Sequence, residues 1–172
     1  VGKSLRGDEA IRVALRDLQE TGSRHGINFS IRNGNSISQS AIVVGSPDRN
    51  KLTAKLVNDQ NLRLQPSEDP QAYEILTRVI DGRRVMIVSG VSIMGDVYGL
   101  YWIWDRIRVY REMPDVNVKR SPALKTRICL SWGRRGSAGE SKEQMQRALQ
   151  YTCNWVSGPA VLDLVPLNSE PE

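Results

Sequence analysis

YEILTRVIDGRRVMIVSG, residues Tyr73–Gly90, decides the fold class. Two largely apolar runs, Tyr73–Ile80 and Arg83–Gly90, flank Asp81-Gly82. Both turn residues tolerate the positive φ that a tight two-residue connection needs, so the segment predicts a β-hairpin.

The residues that follow change period. Ile93, Val97, Leu100, Tyr101, Trp104 and Ile107 recur every three or four positions, which predicts a helix with a broad apolar face and a basic last turn of Arg106, Arg108 and Arg111. Gly95 and Gly99 lie inside that helix, where each costs about 1 kcal/mol relative to Ala. Their presence makes sense if another backbone packs closely there. The same stretch, rich in Trp and Tyr, could form a sugar platform or a cofactor cradle. The glycines, however, do not spell GxGxxG after a strand, and no acidic partner follows at the usual distance. A core helix laid across a sheet is the better reading, and no cofactor is expected.

Upstream of the hairpin, Ala41–Gly45 (AIVVG) reads as a short buried strand. Ser46 is the expected cap and Pro47 the first residue of a helix whose apolar side is Leu52, Leu56 and Val57. The polar stretch Asn58–Pro70 reads as a loop. Asn28–Arg32 (NFSIR) alternates like a strand, and Asn33-Gly34 is a turn signal. Before these, Ile11, Ala14, Leu15 and Leu18 mark one face of an amphipathic helix that Asp8 caps and Gly22–Gly26 ends. Residues 1–112 are thus expected to form an α/β domain, an α+β two-layer sandwich.

Downstream, residues 113–122 contain two prolines and the pair Lys119-Arg120, and read as a linker. In residues 123–172 the pattern resets. Lys125–Trp132 reads as a strand and Gly133–Gly139 as a turn. Ser141 with Gln144 makes a capping box for a helix using Met145, Ala148, Leu149 and Val156, and Ala160–Leu167 reads as a further strand. Strand, helix, strand is the unit from which parallel sheets and barrels grow, and one unit cannot close an eight-stranded barrel. The expected continuation is an incomplete (β/α) barrel segment.

Composition sets outer bounds. A chain of 172 residues can bury roughly 70% of its unfolded surface, so a core is possible without staples. The net charge of +5 comes from scattered doublets, Arg83-Arg84, Lys119-Arg120 and Arg134-Arg135, rather than a basic tract. This excess tolerates polyanions and acidic sugars without predicting either. No apolar run is long enough to span a membrane, and the first residues lack the order of a signal peptide. The chain begins at Val1 rather than Met, so a trimmed or partial polypeptide is expected. Cys129 and Cys153 have neither metal-ligand spacing nor the density of a disulfide framework, and their pairing stays open. His25, the only histidine, sits at a helix end and reads as a cap. No GxSxG elbow and no zinc-ligand cluster occurs, so no metal is expected.

Taken in order, AIVVGSP, a helix, YEILTRVIDGRRVMIVSG, a helix containing DVYGLYWIWDRI, and SPALKTRICLSW resemble the N-terminal accessory domain of certain glycoside hydrolases running into the first barrel strand. The match is to α-glucuronidases of families 67 and 115 and, more distantly, to the hexosaminidase accessory domain. It covers residues 41 to 132. The resemblance implies a small α/β domain whose last helix packs on a catalytic barrel. Gly95, Tyr98, Gly99, Tyr101 and Trp104 would then be interdomain packing residues. Trp132 matches the family tryptophan at the end of the first barrel strand, but Gly133 and Arg134 stand where family 67 has an Asp-Asn pair. Sugar contact there would fall to Trp132, Arg134 and Arg135.

The resemblance also implies that the chain stops where the second barrel strand ends, before the strands that carry catalytic carboxylates; no catalytic residue is assigned. Glu140 precedes a helix cap and suits the helix dipole, and Asp163 lies in an apolar strand. The expected function is that of a non-catalytic accessory domain in xylan degradation, partnered by the rest of a barrel or by a second copy, acting on uronic-acid-bearing polysaccharide. Such an enzyme would be secreted, although the residues themselves leave the compartment open. The alternatives are a carbohydrate-binding or protein-interaction module without hydrolase activity, and a basic nucleic-acid-binding domain. The last wants exposed aromatics on a strand face, whereas here they cluster on a helix.

Overall fold

The computed structural model describes residues 5, 7–32, 34, 36–64, 67–130, 147–153 and 155–157, and divides into two units, Val1–Ala123 and Leu124–Glu172. The first unit contains α1 (Glu9–Arg24), β1 (Ala41–Val44), α2 (Lys51–Asp59), β2 (Tyr73–Ile80), β3 (Arg83–Gly90), α3 (Ile93–Tyr110) and β4 (Asn117–Arg120). Its fold is α+β, built on an open mixed sheet of order β1-β3-β2-β4. β1 runs parallel to β3, while β2 is antiparallel to both β3 and β4.

The hairpin forms as its turn residues require. Asp81 and Gly82 both adopt positive φ, 50° and 72°, and the ladder runs from Ile80 opposite Arg83 to Tyr73 opposite Gly90. Alternation then sends β3 side chains to opposite faces. Val85 and Ile87 join Val43 and Leu56 in one cluster beside α2, and Val88 points the other way, against Gly99 of α3. α1 packs on α3, joined by the buried hydrogen bond that the Tyr101 hydroxyl donates to the Asp17 carboxylate at 2.9 Å. Helices therefore cover both faces, and the unit has three layers rather than the expected two. The reason lies in the Val85–Val88 run, buried without interruption, which only a strand covered on both sides can support.

Several local expectations are corrected. Asn28–Arg32 is not a strand: Ile27 N–H donates to Gly22 O, Gln19 donates to Phe29 O, and the Phe29 ring lies where a Gly22 side chain would be, so this segment folds back on α1. α2 is capped by Asn50, not Ser46. The Asn50 Oδ1 accepts from Leu52 N–H at 2.9 Å while its Nδ2 donates to Val44 O at 2.8 Å, tying the helix start to the end of β1, and Ser46–Arg49 form a turn. Within the stretch read as a linker, β4 adds to the sheet edge. Thr77 N–H donates to Val116 O and Val116 N–H to Thr77 Oγ1, which captures the chain beside β2.

In the second unit, β5 (Ile128–Leu130) pairs in parallel with β6 (Trp155–Ser157). A helical turn ends before β6, where Thr152 takes a positive φ of 56° and Cys153 N–H donates to Ala148 O. Val156 accordingly belongs to a strand and not to the helix. The Arg127 guanidinium donates to Thr152 O and Leu124 O at 2.7 and 2.6 Å. Trp132, Arg134, Arg135, Glu140, Asp163 and the expected strand Ala160–Leu167 lie outside the described residues. Among those described, no helix is long and apolar enough to cross a membrane.

Candidate functional site

The region expected to matter most, α3, starts at Ser92, whose Oγ accepts from Met94 N–H and donates to Pro70 O. It ends at Arg111 in the left-handed conformation, φ 61°, with its N–H on Ile107 O. From Gly95 to Tyr101 every residue is buried, and the helix emerges only in its second half. Gly95 lies against the Ala72 carbonyl and 2.9 Å, measured from where a Cβ would stand, from Gly90 Cα. A Cβ on Gly99 would stand 2.5 Å from Val88 Cγ1 and 3.4 Å from the Tyr73 ring. The close backbone expected of these glycines is present at Gly95 but not at Gly99, which side chains pack against, and at both positions the neighbours belong to the same unit. Tyr101 likewise spends its hydroxyl on α1, and Tyr98 is fully buried. Trp104 stands edge-on to Tyr101, ring centres 6.1 Å apart, with the Arg108 guanidinium 5.3 Å above its own ring.

Below α3, two residues that sequence reasoning passed over form the tightest polar junction. Arg49 donates to Gly90 O at 2.6 Å, Val91 O at 3.0 Å and Asp96 Oδ2 at 3.1 Å, while Asp96 Oδ1 accepts from Gly90 N–H at 2.6 Å. Asp96 is completely buried, and this desolvation pushes its pKa up to about 6 although the Gly90 N–H and the Arg49 charge favour the carboxylate. β1 and β3 are adjacent and parallel, and the helices that follow them leave to opposite faces. That is the switch point where open sheets ordinarily receive ligands. Here the guanidinium of Arg49 fills the crevice.

Beside this plug lies a cleft of about 230 Å³ lined by Ser46, Asp48, Glu74 and Lys119, among others. The Ser46 hydroxyl, backbone N–H groups and Arg49 together hold the Asp48 carboxyl below its usual value, so it is ionised at neutral pH. Glu74 and Lys119 stand opposite one another across β2 and β4. Glycosidic hydrolysis needs a carboxyl that can protonate a leaving group and a second one facing it. Asp96 has the raised pKa, but with both oxygens committed and no exposed surface it has no route to a substrate. The cleft can hold a polar group; it is not an acid–base pair. Among the described residues no group of three or more His, Cys, Asp and Glu could hold a metal ion. His25 occupies the C-cap of α1, its N–H on Gly22 O and Ser23 O.

The emergent half of α3 is different in kind. The Arg106 guanidinium lies 4.9 Å from the Trp102 ring centre and 5.3 Å from that of Tyr110, and donates to the Tyr110 hydroxyl at 3.1 Å. Positions 102, 106 and 110 are one helical stripe, so the sequence contained the signal, although its periodicity read as core. No protein-family model matches this chain, and no curated protein matches it either.

Proposed function

We propose that this chain is a non-catalytic accessory part of an α-glucuronidase-like glycoside hydrolase, followed by the opening strand–helix–strand of a (β/α)8 barrel. The observation that carries the reading is the parallel pairing of β5 with β6 directly after a finished α+β unit. Parallel neighbours require a crossover, and such a unit has edges that further strands would cover. The order β1, α2, hairpin, α3 and Pro122 before β5 agrees with the order on which the resemblance rests. The plugged switch point suits a domain whose task is support.

In this reading the first unit steadies a barrel whose catalytic carboxylates belong to later strands, and the complete enzyme removes uronic-acid groups from plant polysaccharide. Its partner is the remainder of the barrel, or a second copy that covers the β5–β6 edges. Trp132, Arg134 and Arg135 are the residues proposed to meet sugar at the end of the first barrel strand. The test is to incubate the purified chain with aldouronic acids and measure free glucuronic acid. No release is expected; release at a rate proportional to protein concentration would overturn the non-catalytic assignment.

A further inference from the structure

β1 is an outer strand of its sheet, paired on one side only. Successive residues of a strand direct their N–H and C=O groups to alternate sides. Gly45 N–H donates to Val88 O at 2.9 Å, so residues 41, 43 and 45 turn toward β3, and Ile42 and Val44 turn outward. Of the outward groups, Val44 O accepts from Asn50 Nδ2 at 2.8 Å. The others, Ile42 N–H, Ile42 O and Val44 N–H, have no hydrogen-bond partner among the described residues. Val44 is only 1% exposed, and a buried backbone donor without an acceptor is rare and costly. A cavity of about 170 Å³ is lined by all four residues of β1. Leu15 and Leu18 of α1 border it from one face of the sheet and Leu52 of α2 from the other, so it wraps the strand edge. Residues 28–32 and 36–40 complete the lining, held by the bonds from Gln19 to Phe29 O and from Arg83 to Ile37 O. Ile31, Ser36 and Ser40 are exposed, so the cavity reaches the surface.

We infer that β1 is a docking edge on which an extended peptide of a partner protein, apolar with an acidic flank, adds as a parallel strand. Asn50 decides the direction. In a parallel pairing one peptide residue donates its N–H to Ile42 O and accepts from Val44 N–H, while the carbonyl two residues earlier accepts from Ile42 N–H. All three open groups are then used. An antiparallel peptide would aim an N–H at Val44 O, which already serves Asn50. Alternate side chains of the added strand enter the space beside Leu15 and Leu18 or beside Leu52, which calls for apolar residues. Charge sets the flank. Arg32 is the charged side chain in the lining, Arg83 is bonded to Ile37 at its border, and among the described residues no carboxylate lines the cavity. A second copy of this chain fits less well, because it would bring its own residues 28–32 and 36–40 against those that already border the edge. This binding role is separate from the proposed support of a hydrolase barrel and stands without it.

The experiment is amide NMR of the whole isotope-labelled chain, titrated to millimolar concentration with the peptide acetyl-Glu-Val-Ile-Val-Glu-amide and with its Lys-flanked analogue. Two further versions of the Glu-flanked peptide carry N-methyl groups on alternate residues, one on the isoleucine and one on both valines. The Ile42 and Val44 amide signals are expected to move, and their hydrogen exchange to slow. One N-methyl version should bind like the parent and the other about tenfold or more weakly, since only one set of alternate peptide N–H groups faces β1. Ile42→Pro removes an outward donor without touching the ladder to β3, a change that edge strands tolerate, and should weaken binding about tenfold. Far-UV circular dichroism checks its folding, and the N-methyl pair decides the matter if that variant does not fold. Unmoved Ile42 and Val44 signals, or equal binding of both N-methyl versions, would overturn strand addition. Tighter binding of the Lys-flanked peptide would overturn the acidic partner. Signals that move with protein concentration alone, together with a dimeric mass by light scattering, would overturn the peptide occupant in favour of a second copy.

Discussion

Replacing Gly95 by Ala sets two effects of opposite sign against each other. Helix propensity alone favours Ala by about 1 kcal/mol. A methyl group at this position, however, would be driven into the Ala72 carbonyl and would lie 2.9 Å from Gly90 Cα. Both obstacles are backbone, which cannot rotate away as a side-chain tip can. Moving Ala72 would also strain the hydrogen bond its carbonyl accepts from Val91 N–H at 2.9 Å. Overpacking of about 3 kcal/mol plus about 1 kcal/mol of weakened hydrogen bond, less the propensity gain, leaves a loss of about 3 kcal/mol. The assay is urea unfolding followed by far-UV circular dichroism, with the midpoint falling at unchanged slope. A variant as stable as the wild type, or about 1 kcal/mol more stable, would refute the close approach of α3 to the β2 entry.

The Arg49–Asp96 junction makes stability depend on pH in a definite direction. The pKa of Asp96 is about 6 in the folded state against an ordinary 3.8. Its contribution to folding is therefore complete below pH 3.8 and is lost as pH rises through 6, a change of up to about 3 kcal/mol. Asp96→Asn should remove that dependence, so wild type should lose stability relative to the variant between pH 4 and pH 7; parallel urea-derived curves would contradict this. Arg49→Ala leaves a buried carboxylate without its cation and should cost about 3–5 kcal/mol at pH 7, less at pH 4, by the same measurement. Tyr101→Phe removes one donor from buried Asp17 and should cost about 1–3 kcal/mol, with loss of contact between α1 and α3 visible as faster hydrogen exchange in α1.

What could be read from the sequence was what local chemistry determines. Asp81-Gly82 imposes its turn whatever surrounds it, Asp8 caps α1 through Ile11 N–H, and the Ile93–Ile107 period survives burial. Gly95 and Gly99 announced a close approach, but not that what approaches, backbone at Gly95 and the Val88 and Tyr73 side chains at Gly99, belongs to the same unit. Asn28–Arg32 had the strand alternation without a strand to pair with, and β4 was hidden because its polar residues lie on a sheet edge, where one free side relaxes the pattern. The cap of α2 shifted to Asn50 because its side chain also reaches Val44 O, a contact set by tertiary structure. Arg49 with Asp96, and Arg120 with Tyr73, are separated by dozens of residues and meet only once the sheet has formed. The run Val85–Val88, apolar at every position, was the overlooked sign that helices would cover both faces.

The account turns on α3 being the mechanical centre of the first unit. Native-state hydrogen exchange tests this most directly. The amides of Val97–Ile103 should exchange only through global unfolding, with an opening free energy equal to the stability from urea unfolding, while those near Tyr110 open more cheaply. Exchange of Val97–Ile103 through local openings several kcal/mol below the global value would contradict the account.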